Sequence, residues 1–531
     1  MQSEIEKQKV KDNASDASSD TATVVDVDGD NEAEEALRME ADHVAKDIAP
    51  LEVSESDKTT AEEVKERANK CFAAKKYEEA IELYTTAISF NPKNPAYYSN
   101  RAFAYIRSEF YGAAIHDAET AIALDPKFIK AYYRRAVGHM AMGKLKDAVK
   151  DFRAVVKVSP RDSDAKSKLS ECEKELKRQQ FEAAISFNEV KKDAVELIGD
   201  VESMVVEPTY DGPHLSPAGI DLDFCKSLLS HMEAQKKLHR KYVYQIMLAV
   251  KTIFENSPTI IDIPVPEGKK ITVCGDIHGQ YYDLLNIFKM NGLPSNENMY
   301  LFNGDFVDRG SFSVECIIAL FAFKMLYPDG LFLSRGNHET DSMNKVYGFE
   351  GEVKAKYSDV MFKLFSEIFN AVPLGNLIGE KILVIHGGLF SRDGVTMDEI
   401  RKIDRFKQPE NEGLMCEILW SDPQPFPGRS PSKRGVGTQF GPDVTEAFCL
   451  ENGLDLIIRS HEVKHAGYEV GHKGRCITIF SAPNYCDNVG NKGAFINIGP
   501  DLKLNYRQFE AVQHPNVRAM QYAGSMFSNM L

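Results

Sequence analysis

Between residues 61 and 162 the chain repeats itself with a period of 34. Cut at 61, 95 and 129, three segments align without a gap. Ala68, Ala102 and Ala136 share one position, Ala80, Ala114 and Ala148 another, and Pro92, Pro126 and Pro160 a third. Self-similarity at this spacing means one supersecondary unit stacked on copies of itself, and about three units are the fewest that make a stable stack. Alanine at fixed places lets packed elements approach closely, and a proline at each boundary stops a helix. One continuous core over 531 residues is therefore not expected, and length alone suggests about three or four units.

The repeat resembles the tetratricopeptide repeat, in which each unit is a helix–turn–helix. Tyr77, Tyr111 and Leu145 then fall in the turns. The resemblance implies that the first helix of each unit lines a concave groove. Lys65 and Asn69 are four residues apart on one helix face, as are Lys130 and Arg134, and Asn100 lies on the middle unit. By resemblance Lys65, Asn69, Asn100, Lys130 and Arg134 form a two-carboxylate clamp for a peptide C-terminus. The family's ligand for that clamp is the EEVD tail of the heat-shock protein 90 chaperone.

The net charge of −15 is uneven. Residues 1–58 hold 17 acids and 6 bases, which leaves only −4 for the rest. Such a segment buries too little apolar surface to offset its ordering entropy and reads as a disordered acidic tail. No Lys/Arg block points to nucleic acid. No apolar run is long enough to cross a membrane: Ile317 to Phe323 ends at Lys324, and MQSEIEKQKVKD has no apolar leader core. Nine cysteines without a CxxC pair argue against a disulfide framework and fit a reducing compartment. Cytoplasmic and nuclear residence is the expectation. Residues 163–205 read as a helical linker or cap, and EPTYDGPHLSP at 207–217 interrupts the helical pattern.

From Lys270 onward, β-branched and aromatic runs alternate with helical segments: ITVCGD, MYLFNGD, GLFLSRGN, KILVIHGG, LDLIIRSHE and CITIFSAPN. This predicts an α/β domain over 206–505. Ligands collect where strand carboxyl ends open into loops. Those loops read GDIHG, GDFVDRG, RGNHE, IHGG and RSHE, and they supply Asp276, His278, Asp305, Asn337, His386 and His461. Carboxylates, imidazoles and one amide suit hard or borderline divalent ions rather than a thiolate zinc site. Six ligands are too many for one open catalytic ion and suit two ions sharing a carboxylate.

The order GDxHG, GDxxDRG, GNHE resembles the metallophosphoesterase signature. LFLSRGNHE, SKRG and SAPNYC narrow the resemblance to the phosphoprotein phosphatase family of serine/threonine phosphatases, over roughly residues 61–525 together with the repeats. It implies a central β-sandwich flanked by helices. Asp276, His278 and Asp305 would hold one ion, and Asp305, Asn337, His386 and His461 the other. Manganese is expected first, with magnesium, iron or zinc as alternatives. Arg309 and Arg434 match phosphate-clamping positions, and Tyr485 a position near the phosphate. Asn337, His338 and His461 also face substrate. His338 is expected as general acid, oriented and charged by Asp308. The substrates would be phosphoserine and phosphothreonine proteins.

Repeats tethered to a phosphatase suggest self-inhibition relieved by a chaperone peptide. A C-terminal regulatory segment, 506–531, is expected to assist as a helix with Val517, Met520, Met526 and Phe527 on its apolar face. Two other readings are weaker. An inactive scaffold would not need all six ligands, and SAPNYC and SKRG oppose a phosphodiesterase.

Overall fold

The computed structural model describes residue 46, residues 51–186 and residues 192–523. Most of the expected acidic tail, and Met526 and Phe527, lie outside the described residues.

Seven helices open the described chain: α1 (Glu55–Ala73), α2 (Tyr77–Phe90), α3 (Pro95–Arg107), α4 (Tyr111–Leu124), α5 (Ile129–Ala141), α6 (Leu145–Val158) and α7 (Ser163–Ser186). The six repeat alanines are all fully buried, which is why no larger side chain stands there. α2, α4 and α6 each stop two residues before Pro92, Pro126 and Pro160. Buried ion pairs also follow the period: Arg101 meets Asp117 and Arg135 meets Asp151, each with its Nε at 2.8 Å.

Two boundaries differ from expectation. Residues 55–58 belong to α1 and not to the tail, because Ser54 caps the helix by accepting from Asp57 N at 3.0 Å and the first turn is acidic. At the other end, residues up to Phe509 belong to a strand, and residues 510–523 form turns with no helix. Pro515 interrupts that stretch, and Met520 N donates to Arg309 O at 2.7 Å rather than within a helix.

The second folded unit is a sandwich of two sheets. The first places β14 (Leu504–Phe509), β13 (Gly493–Ile498), β2 (Lys270–Cys274), β3 (Asn298–Asn303) and β4 (Leu331–Ser334) side by side. The second runs β1 (Ile260–Ile263), β5 (Gly375–Ile378), β6 (Ile382–Ile385), β10 (Leu456–Arg459), β12 (Cys476–Ile479) and β11 (Tyr468–Gly471). A small third sheet orders β7 (Asp422–Pro423), β9 (Thr438–Phe440) and β8 (Arg429–Pro431). Val273, Leu301, Val384, Ile458, Ile477 and Ile496 fill the space between the large sheets. Helices Ser313–Leu326 and Asp359–Ala371 cover one outer face. β2–β3–β4 and β6–β10–β12 are parallel, so their carboxyl ends open at one edge of the sandwich.

Candidate active site

All six expected ligands follow those parallel strands, and all are buried. The loops leave the strands in unusual backbone conformations. His278, Asp305, Asp308, Arg309 and His461 have φ of 46°, 51°, 70°, 69° and 70°. Each such non-glycine residue costs on the order of 1 kcal/mol, and the cost persists only where surrounding structure holds it. Here the loops hold one another. Ile277 N and His278 N donate to Asp305 O at 3.0 and 2.9 Å. Glu339 accepts from Asp305 N, Phe306 N and Gly336 N at 2.8, 2.9 and 2.8 Å, joining two loops through one buried carboxylate. Gly336 is required there, since a Cβ would sit 2.2 Å from Asp305 Oδ1.

Two triads lie within ligand distance: His278, Asp305 and His338, and Asp305, His386 and His461. Asp305 belongs to both. His278 Nδ1 bonds Val307 O at 3.0 Å and His386 Nδ1 bonds Asn303 O at 2.8 Å, so each turns its Nε2 toward Asp305 Oδ2, at 3.5 and 3.3 Å. Asn337 Oδ1 lies 2.9 Å from His386 Nε2. Asp276 stands slightly apart: its Oδ2 is 3.8 Å from His278 Nε2, while Oδ1 accepts from His461 N at 3.1 Å. Burial pushes the Asp276 carboxyl up to about 7. Burial also opposes charge on Asp305, but the imidazoles of His386 and His338 outweigh it and hold that carboxyl below the usual range. His461 Nε2 is buried without a hydrogen-bond partner among the described residues. Crowded carboxylates, oriented imidazole nitrogens and an unsatisfied ring nitrogen fit divalent cations, with oxygen and nitrogen donors and no sulfur.

His338 falls within the first of these triads. Its Nδ1 is 2.8 Å from Asp308 Oδ2. Asn344 Nδ2 donates both to Asp308 Oδ2 at 3.0 Å and to His338 O at 2.6 Å, and Phe349 N donates to Asp308 Oδ1 at 2.8 Å. The imidazole is thus fixed with Nε2 free. Burial dominates both partners, pushing the Asp308 carboxyl up to about 8 and the His338 imidazole down to about 4. Asp308 thus orients the His338 ring through Nδ1. Tyr485 is buried with its ring 5.2 Å from that of His278.

Arg309 and Arg434 line the same cleft, a space of about 1100 Å³ walled by both the repeats and the sandwich. Arg309 Nη2 meets Glu109 of the repeat stack at 2.5 Å, and its guanidinium lies 3.7 Å from the Tyr347 ring centroid. Arg309 Nε is buried without an acceptor among the described residues. Arg434 Nε bonds Asp422 Oδ2 at 2.6 Å and its Nη2 bonds His461 O at 2.8 Å. Asp422 is shared with fully buried Arg459 at 2.7 Å. Phe110 of the repeats faces both Lys433 and Arg434, and Ala113 N donates to Lys433 O at 2.9 Å. Glu109, Phe110, Glu339, Tyr347 and Asp422 were not marked as site residues by the sequence. Glu339 could have been, as the last letter of GNHE.

The five clamp residues lie apart from this centre, on α1, α3 and α5. Arg134 Nη1 reaches Ser99 Oγ at 2.5 Å and Asn100 Oδ1 at 3.2 Å. Asn69 Oδ1 accepts from Tyr84 OH at 2.7 Å, and the Tyr84 hydroxyl feels the charges of both Arg134 and Lys65. Lys65 is bonded to Glu62 and Glu66 at 2.5 and 3.1 Å. Lys130 is exposed.

Residues 269–465 match the calcineurin-like phosphoesterase family, 68–108 a TPR repeat, 129–162 a tetratricopeptide repeat, and 169–262 the PPP5 TPR repeat region. Human serine/threonine-protein phosphatase 5 is 57% identical over 88% of this chain and 93% of its own length. The chain belongs to the serine/threonine-protein phosphatase 5 family. Serine/threonine-protein phosphatase T of Schizosaccharomyces pombe is 52% identical over 88% of this chain and 99% of its own. A Saccharomyces cerevisiae protein serine/threonine phosphatase, described as similar to human phosphatase PP5, superimposes with a TM-score of 0.56 at 42% identity, covering 57% of this chain and all of that one. As a member of the phosphatase 5 family, the chain is a phosphoprotein phosphatase, a hydrolase with a repeat region.

Proposed function

We propose that this serine/threonine phosphatase works with two divalent ions and is held inactive by its own repeats until a chaperone C-terminus draws them away. Asp276, His278 and Asp305 would hold one ion and Asp305, Asn337, His386 and His461 the other. Manganese is preferred, and when bound the pair would supply the Lewis acidity that makes water a nucleophile near neutral pH.

The protein's own groups do the rest. Arg309 and Arg434 take the phosphoryl oxygens of a phosphoserine or phosphothreonine monoester, each guanidinium offering parallel donors. Asn337, His461 and Tyr485 complete the wall around the phosphate. The incoming dianion raises the proton affinity of the His338 imidazole, which burial alone lowers. His338, held by Asp308, then gives its proton to the departing serine or threonine oxygen.

The observation that carries the inhibited state is the contact between Glu109 and Arg309. A repeat carboxylate occupies the guanidinium that substrate phosphate needs. Relief follows when Lys65, Asn69, Asn100, Lys130 and Arg134 engage the acidic C-terminus of a heat-shock protein 90 type chaperone. A C-terminal contribution is supported by Ser311, whose hydroxyl donates to Arg518 O at 2.7 Å and accepts from Gln521 N at 3.2 Å. Nine free cysteines suit cytoplasmic and nuclear residence. The test is phosphopeptide turnover by manganese-loaded protein with and without a peptide ending in EEVD. Acceleration by the peptide is expected, and an unchanged rate counts against the inhibited state.

A further inference from the structure

The groove of the repeats holds two cations, Lys130 and Arg134, that no carboxylate among the described residues neutralises. Arg101 and Arg135 each have a carboxylate, Asp117 and Asp151. Arg134 has none among the described residues: its guanidinium rests on Ser99, Asn100 and the Phe103 ring, whose centroid is 5.2 Å away. Lys130, four residues earlier on the same helix face, is exposed and makes no ion pair among the described residues. A largely buried guanidinium without a counter-ion favours an anionic occupant.

The chain carries a candidate for that occupant. Residues 1–50 contain fourteen Asp and Glu against five Lys and Arg. Six of those acids fall between Asp26 and Glu35, with no base among them. This run also places valine between acids, as Asp26-Val27-Asp28. The chain enters α1 at Glu55, and α1 is itself a groove helix carrying Lys65. From Glu35 to Leu51 an extended chain reaches about 50 Å at roughly 3.3 Å per residue. From Glu55 to Lys65 is only about 15 Å of helix. Lys130 and Arg134 stand on α5, two groove helices beyond α1; at about 8–10 Å per helix packing the run's reach still exceeds the path to them.

We infer that the acidic run at residues 26–35 occupies the repeat groove in the same molecule, at Lys130 and Arg134, and competes there with an acidic peptide partner. The inference rests on the clamp reading above. An internal segment offers side-chain carboxylates but no terminal one, so it binds more weakly than a free C-terminus and acts as a tethered competitor whose local concentration is set by its linker. Charge attraction across an open groove is screened by salt.

The test uses the full chain and one variant carrying Asp26→Asn, Asp28→Asn, Asp30→Asn, Glu32→Gln, Glu34→Gln and Glu35→Gln, all outside the described residues. Acetylation of Lys130 by an N-hydroxysuccinimide ester is followed by peptide mass spectrometry, with Lys503 of the catalytic unit as reference. At 20 mM sodium chloride Lys130 should react at least threefold faster in the variant, and at 500 mM the two proteins should agree. Equal rates at low salt overturn the proposal. A difference that grows with protein concentration assigns the run to a second copy and overturns the intramolecular reading. The variant should also bind an EEVD-ending peptide severalfold more tightly. If no such peptide binds either protein, the clamp reading fails while the Lys130 rates still decide whether the groove is covered.

Discussion

Glu109 and Arg309 meet at 2.5 Å across the boundary between the repeat stack and the catalytic sandwich. Both side chains are shielded, and the Tyr347 ring closes the far side of the guanidinium. A hydrogen bond to a charged partner contributes about 1.5–3 kcal/mol. Glu109→Gln should therefore raise basal phosphopeptide turnover by roughly 10- to 100-fold. The same change should leave the rate with saturating EEVD peptide nearly unaltered. A basal rate within twofold of the parent protein would remove Glu109 from the inhibited state.

The second contact is steric. A Cβ on Gly112 would lie 2.4 Å from Gly435 N and 2.5 Å from Gly435 Cα, backbone against backbone. Gly112 lies inside α4, where alanine is better than glycine by about 1 kcal/mol. Gly112→Ala should thus stabilise the repeat helix and still raise basal activity, because the SKRG loop must move away. Thermal unfolding and turnover, measured on one preparation, separate the two effects.

His338→Asn keeps a side chain of similar reach without the proton. Both metals should remain bound by elemental analysis. Turnover of a phosphoserine peptide should fall by about 10²–10⁴-fold. An aryl phosphate, whose leaving group needs no proton, should lose far less. Equal losses on the two substrates would assign His338 a binding role instead.

Burial sets a pH dependence in the repeats. The His139 imidazole on α5 is pushed down to about 3, so the folded stack keeps it neutral. The unfolded chain takes up that proton below about pH 6.5. Stability from this group is therefore full above pH 6.5 and lost as pH falls toward 3, by about 1.4 kcal/mol per unit. The repeat transition in calorimetry should drop in temperature between pH 7 and pH 5, and His139→Met should flatten that slope.

Much of this arrangement is legible from the chain because it is local. The 34-residue period marks the buried alanines, and the loop residues that face the metal site follow their strands directly. What escapes the sequence is long-range. Glu109 looks like any exposed glutamate in a helix turn until Arg309, two hundred residues on, is brought to it. Asp422 has no motif around it, yet it holds Arg434 and Arg459 together. The strands β1 and β5 pair across more than a hundred residues, a partnership that their short runs do not encode. Over the described residues 510–523 no C-terminal helix forms, for a similar reason: Met520 N is drawn to Arg309 O by a distant loop, which periodicity along the segment does not encode.

The mutual fastening of the loops through Glu339 has a bearing on biosynthesis. The loop that supplies Asp305 is made some thirty residues before Glu339, so its left-handed backbone cannot be held until that carboxylate has been translated. A nascent chain emerges amino end first. On the proposed inhibited state, the repeat helices are complete long before the last imidazole leaves the ribosome, so the enzyme would be restrained from the moment it is made.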